Sequence, residues 1–153
     1  MLSIRPNQGG GQPPREDLSL TFGLAGIGLA HVAPDGKWLL VNDKLCEIVG
    51  YSREEMAKLT FQDITHPDDL ETDLALSKQL TAGLIGSYTL EKRYLRKDGK
   101  FVWVNLTGTV VRHSSGTPNY FVAVIEDISS RKRAEDQLRE FESKVEAQVQ
   151  ARV

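Results

Sequence analysis

A single cysteine, Cys46, stands among the 153 residues, so no internal disulfide framework exists and the chain suits a reducing compartment. Long apolar runs are missing as well. No stretch of roughly 18 apolar residues occurs, and residues 1 to 15, with Gly9, Gly10, Gly11, Pro13 and Pro14, lack a signal-peptide core. The expectation is a cytoplasmic segment without membrane insertion. Charge of one sign is not in surplus: 19 Lys and Arg against 21 Asp and Glu give a formal net charge of -2, which leaves no basic excess for nucleic acid. From position 130 onward Gly and Pro vanish and charged residues dominate, which excludes a loop-rich C-terminal region.

What is there divides into three zones. Residues 1 to 15 read as a flexible tail too poor in apolar groups to offset the entropy of ordering. Residues 16 to 129, in a chain that is 40% hydrophobic, suffice for one domain. Residues 130 to 153 read as a long helix. In the middle zone, Pro34-Asp35-Gly36 separates a strand over Ile27 to Val32 from one over Trp38 to Val41. Asp98-Gly99 separates Tyr88 to Leu95 from Phe101 to Val111, and Ser114 to Pro118 leads into a strand over Tyr120 to Ile128. Between the strand groups, Ser52 with Glu55 and Thr65 with Asp68 form capping-box patterns, the second with Pro67 in the first turn. The helix expected over Pro67 to Ala82 puts Leu70, Leu74, Leu76 and Leu80 on one arc, which should cover a sheet. The fourth strand carries Val102, Val104, Leu106 and Val110 on one face and Phe101, Trp103 and Val111 on the other. One helical layer shields one face, so the other should meet Asp17 to Leu24, a partner chain, or both.

These pieces resemble a known family. Gly26-Ile27-Gly28, Asp35-Gly36-Lys37-Trp38, Val41-Asn42, Leu45-Cys46 and Gly50-Tyr51-Ser52 are similar to the first half of a PAS (sensory-box) domain of the type found in bacterial sensor histidine kinases and diguanylate cyclases. Thr60-Phe61 and Asp63-Ile64-Thr65-His66-Pro67-Asp68-Asp69 continue in the same order. Lys97-Asp98-Gly99, Trp103-Val104 and Asp127-Ile128-Ser129-Ser130-Arg131-Lys132 supply the rest. The resemblance implies an α+β class: a five-stranded antiparallel sheet ordered 2-1-5-4-3, helices over one face enclosing a cleft, and a C-terminal signalling helix. Family members use the cleft for haem, flavin, small metabolites or nothing, so function turns on its lining.

Flavin is disfavoured, because the positions comparable to those that hydrogen-bond the flavin edge carry Tyr94, Val104 and Ile125. Cys46 lacks the motif of a photoreactive thiol and reads as a small core residue. Haem is disfavoured because no histidine lies between Pro67 and Gly83, and His66, just before that helix, reads as a capping or packing residue. His31 and His113 are not spaced for a shared metal site, so no metal is expected. Asp68, Asp69, Glu71 and Asp73 crowd a helix start, where they suit the helix dipole better than acid-base work. Gly23, Gly26 and Gly28 lack the lysine and the preceding strand of a phosphate loop. No catalytic residue is therefore named, and any enzyme activity is expected in an effector domain.

The expected cleft lining is Leu76, Leu80, Tyr94, Val104, Leu106 and Ile125, suited to a small apolar or mixed ligand. Asp127 and Ser129 are expected at the junction between sheet and exit helix. On that helix Ala134, Leu138, Phe141 and Val145 step by four, three and four, then drift through Gln148 to Val149, which predicts a weakly locked pairing with a second copy. Phe101 and Trp103 are expected to share the homodimer interface. The functional expectation is a sensory input domain that passes a signal through the exit helix. The alternative is a constitutive dimerisation or docking module with an empty cleft.

Overall fold

A computed structural model describes residues 21–151. The expected tail at residues 1 to 15, and residues 17 to 20 of the expected cover, lie outside the described residues. From Ile27 onward the elements run in order: β1 (Ile27–Val32), β2 (Trp38–Val41), α1 (Asp43–Val49), α2 (Arg53–Met56), α3 (Phe61–Ile64), α4 (Pro67–Thr81), β3 (Ser87–Leu95), β4 (Phe101–Arg112), β5 (Pro118–Asp127) and α5 (Ser129–Ala151). The strands form one sheet in the order β2-β1-β5-β4-β3, with antiparallel neighbours throughout. This is the topology that the resemblance implied.

One turn design closes all three hairpins. Gly36, Gly99 and Gly116 hold φ of 101°, 88° and 95°, in the left-handed region that glycine enters without a Cβ penalty. Each glycine N–H donates three residues back, to the carbonyls of Ala33, Arg96 and His113. Asp35 and Asp98 add a side-chain oxygen that accepts from the N–H of Lys37 and Lys100, at 3.0 and 2.9 Å.

The helices cover one face. Asn42 joins β1 to α1: its Oδ1 accepts from the N–H of Leu29 and of Leu45, each at 3.0 Å, and its Nδ2 donates to Ile27 O. Gly28 lets α1 approach closely, since a Cβ there would stand 3.2 Å from Leu45 Cβ and 3.3 Å from Ile125 O. Ser52 and Glu55 form the expected capping box on α2. The second box is not where the sequence pattern put it. Thr60 and Asp63 cap α3, and His66 caps α4 through Nδ1, which accepts from Asp68 N. Thr65 is extended and bridged to Tyr94, so its hydroxyl is directed to other partners.

The core lies between the helices and the inner sheet face, with Leu45, Val49, Met56, Val104 and Ile125 fully enclosed. Within the described part of the expected cover, Phe22 is 40% exposed and Leu24 82%. Among the described residues, no helix is long and apolar enough to cross a membrane.

Candidate functional site

Helix α4 stands over β3, β4 and β5 and leaves a cavity of about 370 Å³ between them. Of the expected lining residues, Leu80, Tyr94 and Leu106 form its wall. Val104 and Ile125 lie in the core beneath, and Leu76 is half-buried on α4 outside the wall. Val32, Trp38, Leu74 and Phe121 complete the apolar part.

The polar part corrects the reading of α4. Read from sequence with Asp68, Asp69 and Glu71 as an acid suited to the helix dipole, Asp73 is instead fully buried and ion-paired with Lys92 of β3, also fully buried. Alternation along β3 turns Tyr88, Lys92 and Tyr94 inward, and a cation sent into an apolar interior requires an anion beside it. Further hydrogen bonds support the pair. Lys92 Nζ donates to Thr65 Oγ1 at 3.0 Å, and Thr65 Oγ1 donates to Phe61 O at 2.6 Å. Tyr88 OH donates to Asp73 Oδ1 at 2.8 Å, which leaves it to accept from Ser77 Oγ at 3.1 Å. The ammonium lies 4.5 Å from the Tyr94 ring centroid and 5.3 Å from that of Phe61. Burial pushes Lys92 below its ordinary pKa against the pull of Asp73, and burial raises Tyr88 and Tyr94 above theirs. The charged pair is thus closed on itself.

Two buried polar atoms near the cavity have no protein partner. Among the described residues, the buried side-chain polar atoms without a hydrogen bond are Trp38 Nε1 and Gln62 Oε1, and both residues line this cavity.

On the outer sheet face, Glu91 accepts from Arg131 and Lys132 of α5, with Lys132 Nζ at 3.0 Å. Lys132 Nζ also lies 4.4 Å from the Trp103 ring centroid, and Arg93 covers the same ring at 4.9 Å. Trp103 therefore seats the first turns of α5, while Phe101 is exposed against the His66 ring edge. Hydrogen bonds from Lys132 and then Arg131 hold Glu91 below its usual carboxylate range. Asp127 Oδ1 accepts from Ser129 N at 2.9 Å and opens α5. Leu138, Phe141, Val145 and Val149 are all exposed, and no residue of α5 is buried.

Cys46 is half-buried in α1, and burial raises its thiol pKa. His31 stacks on Tyr120 with ring centroids 4.5 Å apart. No cluster of three or more His, Cys, Asp or Glu side chains suited to a metal occurs among the described residues.

The signals that sequence reasoning missed are Asp73, Lys92 and Glu91. The alternation of β3 could have found Lys92, since it shares parity with Tyr88 and Tyr94. Its partner is 19 residues away on a helix, where no local pattern indicates the pairing.

A family profile described as PAS fold matches residues 39–125, more than half of the chain. The chain belongs to the PAS family. This PAS domain is 49% identical over 109 residues to the probable diguanylate cyclase DgcE of Escherichia coli (strain K12), a match covering 71% of this chain and 10% of that protein. It is 25% identical over 122 residues to the sensor histidine kinase TmoS of Ectopseudomonas mendocina, covering 77% of this chain and 12% of that one. Among solved structures, it is similar to a sensory box histidine kinase/response regulator from Burkholderia thailandensis E264. That match has a TM-score of 0.68 and 28% identity, over 85% of this chain and 98% of that chain. The chain spans about a tenth of the length of these two curated relatives. PAS domains homologous to this one are sensory parts of signalling proteins.

Proposed function

We propose that this PAS domain is the input module of a cytoplasmic signalling protein, which takes a small molecule into its cavity and passes occupancy along β3 to α5 and an effector domain. The observation that carries this reading is the adjacency of Glu91 and Lys92. One residue of β3 faces the cavity, and the next grips the exit helix. A ligand that shifts α4 or Lys92 therefore acts on the strand to which α5 is attached. The domain itself performs no chemistry. The exposed stripe of α5 supports pairing with the same helix of a second copy, and Asp127 and Ser129 fix the direction in which that helix leaves the sheet.

Fusing the chain through α5 to a diguanylate cyclase reporter tests the reading. Glu91→Gln and Asp127→Ala should each change reporter output while the fold is retained. Output identical to wild type in both variants would count against transmission through this junction. Sedimentation of the chain, and of a version ending at Ser130, checks the pairing: the longer form should dimerise and the shorter should not. If the shorter form dimerises equally well, the association lies in the sheet, as a constitutive docking module requires.

A further inference from the structure

Arg93, the residue of β3 that follows Lys92, touches the anchorages of both α4 and α5. Resting on the input-module reading, we infer that Arg93 is a positioning residue of the output: it ties the first turn of α4 to the indole that seats α5. A displacement of α4 then reaches α5 around the edge of the sheet as well as along the strand.

The α4 end of the tie is made by main chain and side chain together. Strand β3 ends the sheet, so groups at the start of α4 can reach round its open side. Arg93 shares the parity of Glu91 and turns outward. Asp69 Oδ2 accepts from Arg93 N at 2.8 Å and from Arg93 Nε at 2.9 Å, and Asp69 Oδ1 accepts from Nη2 at 2.9 Å. His66, the cap of α4, donates its backbone N–H to Arg93 O at 2.9 Å. The two side chains are 20% and 16% exposed, against 39% at Glu91, so solvent and salt weaken this pair less.

The α5 end is made by an aromatic ring. Pairing of β3 with β4 sets Arg93 opposite Trp103, and the guanidinium carbon lies 4.9 Å from the indole centroid. Lys132 of α5 holds the same indole at 4.4 Å, and Trp103 O accepts at 3.0 Å from the N–H of Ile128, the residue before α5. A guanidinium can serve both ends at once. Its N–H donors lie in a plane and fork onto the carboxylate, which leaves its flat face for the ring. A lysine ammonium has no such face and cannot do both.

Helix α4 connects this tie to the cavity. Its Leu74 and Leu80 stand in the cavity wall and its Asp69 holds Arg93, within a single helix of 15 residues. A packed helix shifts as a body, so a ligand that presses on the wall also moves Asp69.

Amide exchange in the whole chain, with Asp69→Asn and Arg93→Lys, tests the tie. Amides in the first turns of α5 exchange by local opening, whereas the slowest core amides follow global stability. Each variant should quicken exchange in those turns about three-fold, the worth of one exposed cation–ring contact. Asp69→Asn, a change on α4, should also shift the Trp103 indole proton, one of two indole signals in a proton–nitrogen correlation spectrum, assigned by Trp103→Phe. In Trp103→Leu the tie is already cut, so adding Asp69→Asn should quicken α5 no further. A pair that merely staples α4 to β3 would quicken the slowest core amides and leave α5 as in wild type. That result in both variants, or an Asp69→Asn effect on α5 that persists in Trp103→Leu, would overturn the inference. In the cyclase fusion, output should change with Asp69→Asn as with Glu91→Gln. If α5 exchange does not respond while output still depends on Glu91, the tie is wrong and the input-module reading stands. If exchange responds while output ignores both Asp69 and Glu91, the tie stands and that reading falls.

Discussion

Helices α4 and α5 are both fastened to β3 by ion pairs, α4 at Lys92 from the inner face of the sheet and α5 at Glu91 from the outer face. The inner pair has no access to water, and Tyr88 and Thr65 add hydrogen bonds to it. The outer one stands in solvent, with the Glu91 side chain 39% exposed. A buried pair is costly to break, because one partner lost leaves the other as an uncompensated charge. An exposed pair contributes little and is screened by salt. The same strand thus holds one helix firmly and the other lightly, which is the division expected of a fixed sensing body with a movable output.

Three experiments probe this contrast. The largest effect is expected at Asp73. Asp73→Asn leaves the Lys92 ammonium buried without a counter-charge and should cost about 3 to 5 kcal/mol in urea unfolding. The double change Asp73→Leu with Lys92→Met should recover most of that loss, because apolar residues of similar volume need no partner. A double variant as unstable as the single one would show that the pair is not what makes the site fragile.

An intermediate effect is expected at Asp69, which accepts from Arg93 Nε and Nη2, each at 2.9 Å, and from Arg93 N at 2.8 Å. These hydrogen bonds outweigh its partial burial and hold Asp69 below the ordinary aspartate pKa. A carboxyl group more acidic in the folded than in the unfolded chain adds stability above its unfolded pKa and loses it as pH falls through the folded value. Stability should therefore drop on the acid side of the ordinary aspartate range. Arg93→Leu should flatten that limb and cost about 1.5 kcal/mol at neutral pH, as read from chemical unfolding across pH. An acid limb unchanged in Arg93→Leu would assign it to other carboxylates.

The smallest effect is expected at Glu91. Glu91→Gln should leave the melting temperature close to wild type, while amide exchange quickens in the first turns of α5. Raising salt to about 0.5 M should do the same to the wild type, since screening acts on solvent-exposed pairs. Exchange in α5 that responds to neither change would mean that Trp103 and Asp127 alone seat the helix.

The strands were legible because turn chemistry is local, while their order in the sheet came from the family resemblance alone. Pro34-Asp35-Gly36 and Asp98-Gly99 carry their hydrogen-bond acceptors and their positive φ within a few residues. The box at Ser52 was legible for the same reason. Thr65 misled because the pattern it shares with Asp68 is met equally by Thr60 with Asp63, and a bridge to Tyr94 decides between them. The acids of α4 misled more deeply. Asp68, Asp69 and Asp73 look alike along the chain, yet the first is exposed, the second pairs with Arg93 and the third is sealed in. Only the packing of α4 against β3 separates them. The orphan atoms of Trp38 and Gln62 could not be read from sequence, since a missing partner is a property of the assembled fold.

Helix α5 runs for 23 residues from its seat on Trp103 and Glu91, a rod roughly 33 Å long at the usual rise. Among the described residues none of it is buried, and in the proposed reading it acts as a lever. A tilt of about 5° at the first turn, well within what one remade hydrogen bond could cause, displaces the far end by about 3 Å on a rod of that length. An adjustment at the cavity too slight to alter the sheet would thus arrive at the distal end as a step larger than half a helical turn's rise.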